Sequence, residues 1–194
     1  MKATILLGTL KIGALSNTAT LCEFLVRRLE LSGVACETIR LAERRISPGT
    51  CTDMGTGDDW PAILETILGS NIVIVATPIW WSNHSSLIQG AIERLDELHD
   101  EVMANGTSPL DGKVGGIVIT GDSDGAQHVI GNLCNFFGGI GLLIPPYATL
   151  SVLWERQAKG ATPSKDELLR KYEDDYANTA DKMVRQLRAF APRP

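Results

Sequence analysis

The sequence predicts an α/β fold, a doubly wound parallel sheet with helices on both faces. Two strand-like segments, Ala3 to Leu7 and Ile72 to Ala76, are apolar almost throughout, as strands covered on both sides require. Amphipathic helical stripes alternate with the strand-like segments along the chain, which is the order of βαβ units. Three of the strands run into loops that carry short polar residues or glycines, the position at which open α/β sheets bind their ligands.

The elements follow in order. Ala3 to Leu7, bounded by Gly8, is expected in the middle of the sheet. Leu21, Leu25 and Leu29 recur four residues apart with Cys22 and Val26 beside them, a single apolar stripe closed by Ser32-Gly33. Val34 to Leu41 alternates in polarity and suits an edge strand. Ala42 to Asp59 is a polar connection, and a short helix starts near Asp59-Trp60-Pro61, since proline fits a first helical turn. The third strand, Asn71 to Ala76, is β-branched and ends at Thr77-Pro78, where proline stops ladder and helix alike. A helix over Ser85 to Glu101 carries Ile88, Ala91, Ile92, Leu95 and Leu98 on one side. Lys113 to Thr120 is the fourth strand, Ala126 to Phe137 a helix stopped by Gly138-Gly139, and Tyr147 to Leu153 the fifth strand. An amphipathic helix over Lys165 to Arg188 closes the chain. No linker or repeat divides the 194 residues, so one domain over 1–194 is expected.

Composition narrows the function. The net charge is −5, with seven basic and four acidic residues in 1–50 against one and nine in 51–110, which argues against a nucleic-acid surface. Asp96, Glu97, Asp100 and Glu101 read as the solvated end of a helix. The longest apolar runs are far too short to cross a bilayer and the N-terminus has no signal-peptide pattern, so a soluble, cytoplasmic protein without membrane contact is expected. Cys22, Cys36, Cys51 and Cys134 have no metal-finger spacing and read as reduced, structural thiols, so no metal site is expected.

The loop Gly8 to Thr18 reads as a phosphate cradle. It joins a buried strand to a helix N-terminus, whose unpaired N–H groups and positive dipole end favour an anion, and Thr9, Ser16, Asn17 and Thr18 add short polar side chains. The same residues also suit an ordinary turn with Ser16 or Asn17 as N-cap. The loop is neither a Walker A nor a Gly-x-Gly-x-x-Gly fingerprint. The second loop, Thr77-Pro78-Ile79-Trp80-Trp81-Ser82-Asn83-His84, sets two adjacent tryptophans at a polar strand end, where one can lie against a ligand ring and the other against a partner subunit; both also suit core or interface anchors without a ligand. The third, Thr120-Gly121-Asp122-Ser123-Asp124-Gly125-Ala126, offers flexible backbone with N–H donors, and equally suits an Asp-Gly turn with a helix cap. Together the three describe a pocket for a flat, phosphorylated ring.

These loops, with Ser85, Ile88, Ile92, Glu93 and Arg94 in the helix after the second, resemble the NADPH-dependent FMN reductase family of the flavodoxin-like superfamily over roughly residues 1–154. The branch most similar includes iron–sulfur flavoproteins and FMN-dependent quinone reductases. The resemblance implies a five-stranded sheet of order 2-1-3-4-5, FMN as cofactor and NADPH or NADH as reductant. It places Thr9, Lys11, Ser16, Asn17 and Thr18 on the FMN phosphate. Pro78, Ile79, Trp80 and Trp81 would contact the isoalloxazine and ribityl chain, and Gly121, Asp122, Ser123 and Gly125 its pyrimidine side. It also implies a homodimer or tetramer with the flavin near the subunit interface.

The departures are specific. Only Cys51 stands where the iron–sulfur members carry a cysteine cluster, so the ligands for one are missing. Gln89 replaces a frequent lysine, Ala91 a bulky aromatic, and the Trp-Trp pair a tyrosine or phenylalanine, which leaves Trp81 to shape substrate choice. With FMN bound, hydride chemistry belongs to the flavin and no catalytic triad is expected. His84 and His128 are the candidate proton donors during reduction of a small-molecule acceptor, each reading equally as a cap or surface histidine. The sequence therefore reads as an FMN-dependent NAD(P)H oxidoreductase. The alternatives are a flavodoxin-like FMN electron carrier that docks to protein redox partners, and a flavin-free interaction domain.

Overall fold

The computed structural model describes residues 1–154 and 162–192. Its centre is one five-stranded parallel sheet of order β2-β1-β3-β4-β5, formed by β1 (Lys2–Leu7), β2 (Ala35–Arg40), β3 (Ile72–Pro78), β4 (Val114–Gly121) and β5 (Thr149–Leu153). This is the flavodoxin-like order that the family resemblance implies. Register runs Leu7 beside Ala76 and Thr77 beside Ile119, so β1, β3 and β4 end at nearly one level.

Both faces of the central strands are covered. On one, α1 (Asn17–Leu31) and α6 (Lys165–Phe190) pack Leu21, Leu25, Tyr172 and Met183 over Ile5, Ile74 and Val118. On the other, α2 (Trp60–Leu68), α3 (Ser86–Arg94), α4 (Glu97–Asn105) and α5 (Ala126–Gly139) cover Leu6, Val73, Val75 and Ile119. Alternate residues of β3 thus enter opposite cores, which explains its unbroken apolar run. β2 buries only Ile39, as an edge strand does.

Three elements differ from the sequence expectation. The helix expected over Ser85 to Glu101 is two helices. Between them Asp96 N–H bonds Glu93 O and His99 N–H bonds Asp96 O, so the chain tightens to i,i+3 bonding at Leu95-Asp96 without a Gly or Pro to mark it. Strand β3 runs through Pro78, which pairs with Thr120. In a parallel ladder successive residues face alternate neighbours. Ile79 N–H bonds Thr120 O on the β4 side, so the missing N–H of Pro78 falls on the β1 side, where β1 has already ended. Strand β5 starts at Thr149 because Tyr147 turns at φ 61, its exposed ring lying 3.4 Å from Lys182 Nζ.

Among the described residues no helix is long and apolar enough to cross a membrane, and no cluster of His, Cys, Asp or Glu is arranged to hold a metal. The four cysteines are free thiols, with Cys22 buried and Cys51 exposed. Burial pushes the Cys22 thiol up to about 12, so it packs as an inert apolar side chain.

Candidate functional site

A cavity of about 560 Å³ opens at the carboxyl ends of β1, β3 and β4, where the connections leave the sheet in opposite directions. The volume lies within the roughly 300–1,000 Å³ of small-molecule and cofactor sites. All three loops reach it.

The first wall is built from hydroxyls. Ser16 is the N-cap of α1, its Oγ accepting from Ala19 N–H at 3.3 Å and donating to Thr9 Oγ1 at 2.8 Å. Thr18 Oγ1 and Thr120 Oγ1 are hydrogen-bonded at 2.6 Å, either hydroxyl able to donate, which joins the first turn of α1 to the end of β4. Thr9, Ser16, Thr18 and Thr120 are all buried, yet all line the cavity. Among the described residues no hydrogen bond takes up the amides of Asn17 and Thr18, and the first turn of α1 contains no acidic residue. The positive end of the helix is therefore uncompensated. Lys11, whose Nζ donates to Leu15 O at 3.1 Å, is the cation of the lining.

The second wall is the loop from Pro78 to His84. Its base is pinned by Thr77 Oγ1, which accepts from Ser85 N–H at 2.9 Å and donates to Pro78 O at 2.9 Å. Trp80 and Asn83 exchange backbone hydrogen bonds of 2.8 and 2.9 Å, and Asn83 Nδ2 donates to Trp81 O at 3.0 Å. This tight loop forces Trp81 to φ 50 and Ser82 to φ 64. Trp80 is 52% and Trp81 94% exposed.

The third wall, Thr120 to Asp124, locks onto the second through two glycines. A Cβ on Gly121 would lie 2.7 Å from Ile79 Cδ1, and one on Gly125, at φ +85, 2.7 Å from Ser82 Cα. Asp122 and Asp124 give this wall two exposed carboxylates.

The cavity thus gathers Thr9, Lys11, Ser16, Asn17, Thr18, Pro78, Ile79, Trp80, Trp81, Gly121, Asp122 and Ser123. Gly125 stands behind the wall as a spacer against Ser82. His84 and His128 are not brought to the lining. His84 Nδ1 lies 3.2 Å from Ser85 O, and His128 is exposed on α5 with Nε2 3.5 Å from Asn132 Nδ2. Leu10, Thr120 and Asp124 also line the cavity; the sequence reading has them in the first and third loops but gives them no ligand contact. For Thr120 the available signal was a hydroxyl at the last position before a strand-end glycine.

Outside the lining, Arg94 holds the long connection after β2. Its guanidinium is 1% exposed, donates to the carbonyls of Ser47, Cys51 and Thr52, and pairs with Asp58 at 2.6 Å. That ion pair, with the amides of Ser47, Met54 and Trp60, holds the Asp58 carboxyl well below the usual carboxylate range. Glu97 accepts from Thr52 N–H, tying the same connection to α4.

The sequence profile of NADPH-dependent FMN reductases matches residues 1–153. The chain belongs to that family. It is 34% identical over 161 residues to 8-demethyl-8-aminoriboflavin-5'-phosphate synthase of Streptomyces davaonensis, across 76% of this chain and 62% of that protein. It is 31% identical over 153 residues to a stretch covering 22% of a Mycobacterium bovis protein named divalent metal cation transporter MntH. The chain therefore spans less than two thirds of the length of either relative. Among solved structures, RosB with bound 8-demethyl-8-formylriboflavin-5'-phosphate superimposes with a TM-score of 0.77 at 29% identity, over 98% of this chain and 77% of that one. An NADH:FMN oxidoreductase in its apo form shares the fold, with a TM-score of 0.68 at 14% identity, over 100% and 91% of the two chains. The family and the flavin-phosphate relatives support FMN binding. The donor set fits: a dianionic ester suits the hydroxyls and free amides at the start of α1, and a flat ring suits the apolar Pro78 to Trp80 wall.

Proposed function

We propose that the chain is an FMN-dependent NAD(P)H oxidoreductase that passes electrons from NADPH or NADH to a small acceptor such as a quinone or free flavin. The observation that carries this reading is the single cavity onto which the hydroxyl wall, the tryptophan loop and the Gly121 wall converge. Bound FMN supplies the redox chemistry, so that NAD(P)H, a proton and a quinone give NAD(P)⁺ and hydroquinone.

The chain's own residues bind and orient. Thr9, Ser16, Asn17 and Thr18 hold the phosphate, with Lys11 as the nearby cation. Because Ser16 and Thr9 are already hydrogen-bonded to each other, the hydroxyls are aligned before the phosphate arrives and little ordering remains to be done. Pro78, Ile79 and Trp80 give the ring an apolar face, while Gly121, Asp122 and Ser123 bring backbone to its edge. The histidines lie outside the lining, so the proton that accompanies acceptor reduction comes from solvent through the open mouth. A homo-oligomer with the flavin near its interface belongs to the same reading, supported by the exposed Leu10 and Ile12 on the rim loop.

The test is anaerobic spectroscopy of purified protein loaded with FMN. Bleaching of the flavin band on adding NADPH or NADH, and recovery on adding a quinone, is the expected result. A protein that binds FMN but stays oxidised with both nicotinamides is instead the electron carrier, and one that binds no FMN is the flavin-free domain. A second reading is favoured by the 34%-identical relative and by the riboflavin-phosphate intermediate in RosB: a flavin phosphate that is itself transformed in the cavity. Mass spectrometry of the flavin released after turnover separates the two, since a cofactor leaves with its mass unchanged.

A further inference from the structure

We infer that Trp81 is a specificity-determining residue for the second reactant, its indole serving as the platform for a planar aromatic ring, with Asp122 and Asp124 excluding rings that carry negative charge. The inference rests on the oxidoreductase reading and adds the chemical class of acceptor.

Two features belong to Trp81 itself and a third to the cavity that it lines. The first is exposure. At 94% it is almost wholly outside the core, so packing of this chain does not account for a residue that size, although it lines the cavity. The second is backbone conformation. Trp81 and Ser82 both lie in the left-handed region at φ 50 and φ 64, where neither residue type is favoured, and such geometry lasts only where the surroundings enforce it. Here they do so three times over: through the Trp80–Asn83 backbone pair, through Asn83 Nδ2 on Trp81 O, and through Gly125, whose bare Cα lets the neighbouring loop close on Ser82. The fold therefore fixes the backbone that carries the indole while leaving its ring free. The third is charge. The wall beyond Gly121 contributes the carboxylates of Asp122 and Asp124, and Lys11 belongs to the separate loop after β1. An indole face attracts aromatic rings and cations, and carboxylates repel anions. The combination selects flat, uncharged or cationic aromatic molecules.

The experiment uses FMN-loaded protein and two readouts. In the absence of nicotinamide, the dissociation constant of 2,3-dimethyl-1,4-naphthoquinone is measured by calorimetry; its substituted ring resists addition of the exposed Cys51 thiol. The expected result is roughly tenfold weaker binding to W81A, most of it restored in W81F, and at least tenfold weaker wild-type binding of a sulfonated analogue, a penalty that D122N/D124N removes. In turnover with NADH, the ratio of kcat/KM for the quinone to that for ferricyanide, which has no ring to stack, falls about tenfold in W81A through KM. Equal quinone affinity in wild type and W81A, or a kcat/KM ratio within threefold of wild type, overturns the inference. Protein that oxidises neither nicotinamide with any acceptor overturns the oxidoreductase reading instead, and the calorimetry then still reports whether Trp81 holds a planar ring.

Discussion

The two main walls of the cavity are made by opposite means. At the start of α1, Thr9 with Ser16, and Thr18 with Thr120 of β4, are buried as two hydrogen-bonded pairs, so side chains are fixed by side chains. In the tryptophan loop the backbone alone is fixed, by the Thr77–Ser85 and Trp80–Asn83 bonds, and the large side chains project into solvent. A preorganised donor set suits a ligand that stays. An exposed aromatic on a rigid loop suits one that comes and goes. The difference teaches that retention and selection are assigned to separate segments, and that each can be broken without the other.

The largest expected effect breaks the hydroxyl wall. Hydrogen bonds to a charged acceptor contribute about 1.5–3 kcal/mol each, so Ser16→Ala with Asn17→Ala should weaken FMN binding by roughly 10²–10⁴-fold. Fluorescence titration of FMN measures it. Loss of the N-cap costs α1 about 1 kcal/mol in addition, which leaves the fold intact. Unchanged FMN affinity would remove the phosphate from this wall.

Next in size is Arg94→Met, which leaves Asp58 buried without its partner and should lower stability by about 3–5 kcal/mol in urea unfolding. The pH dependence sharpens it. The Asp58 pKa is depressed in the folded state, so its stabilisation is complete above the unfolded value of about 3.9 and drains away as pH falls below it toward the folded value. Wild type should therefore lose stability steeply below about pH 4, and the variant less steeply over the same window. Equal slopes would mean that Arg94 is not what holds Asp58 ionised.

A smaller effect tests whether the walls are joined. Gly125→Ala puts a Cβ 2.7 Å from Ser82 Cα at a φ of +85, a strain of about 1–3 kcal/mol that lowers Tm by several degrees. Displacing Ser82 moves the loop that carries Trp81, so quinone KM should rise while the FMN dissociation constant changes less. Parallel changes in both would show that the two walls act as one.

Most of this arrangement was legible in the chain because its signals are local. The unbroken apolar runs marked β1 and β3, and the Gly, Ser and Thr at strand ends marked the loops. What was not legible depends on distant partners. The break at Leu95-Asp96 has no glycine or proline and the apolar spacing of Leu95 and Leu98 runs through it. It sits next to Arg94, committed to a connection some forty residues earlier in the chain. Nor does loop proximity in sequence place a side chain, which is why His84 and His128 stay outside the cavity lining.

The smallest effect separates structure from binding at one pair. Thr18 and Thr120 satisfy each other across 102 positions of sequence, and neither hydroxyl has another partner among the described residues. Thr18→Val alone strands the buried Thr120 hydroxyl and should cost about 1–3 kcal/mol, whereas replacing both by valine removes donor and acceptor together and should be nearly neutral. If the pair only ties α1 to β4, the double variant keeps its FMN affinity along with its stability. If the hydroxyls also face the phosphate, the double variant regains stability but not affinity. Urea unfolding and FMN titration on the same three proteins distinguish these, because the two quantities then move in opposite directions between the single and the double replacement.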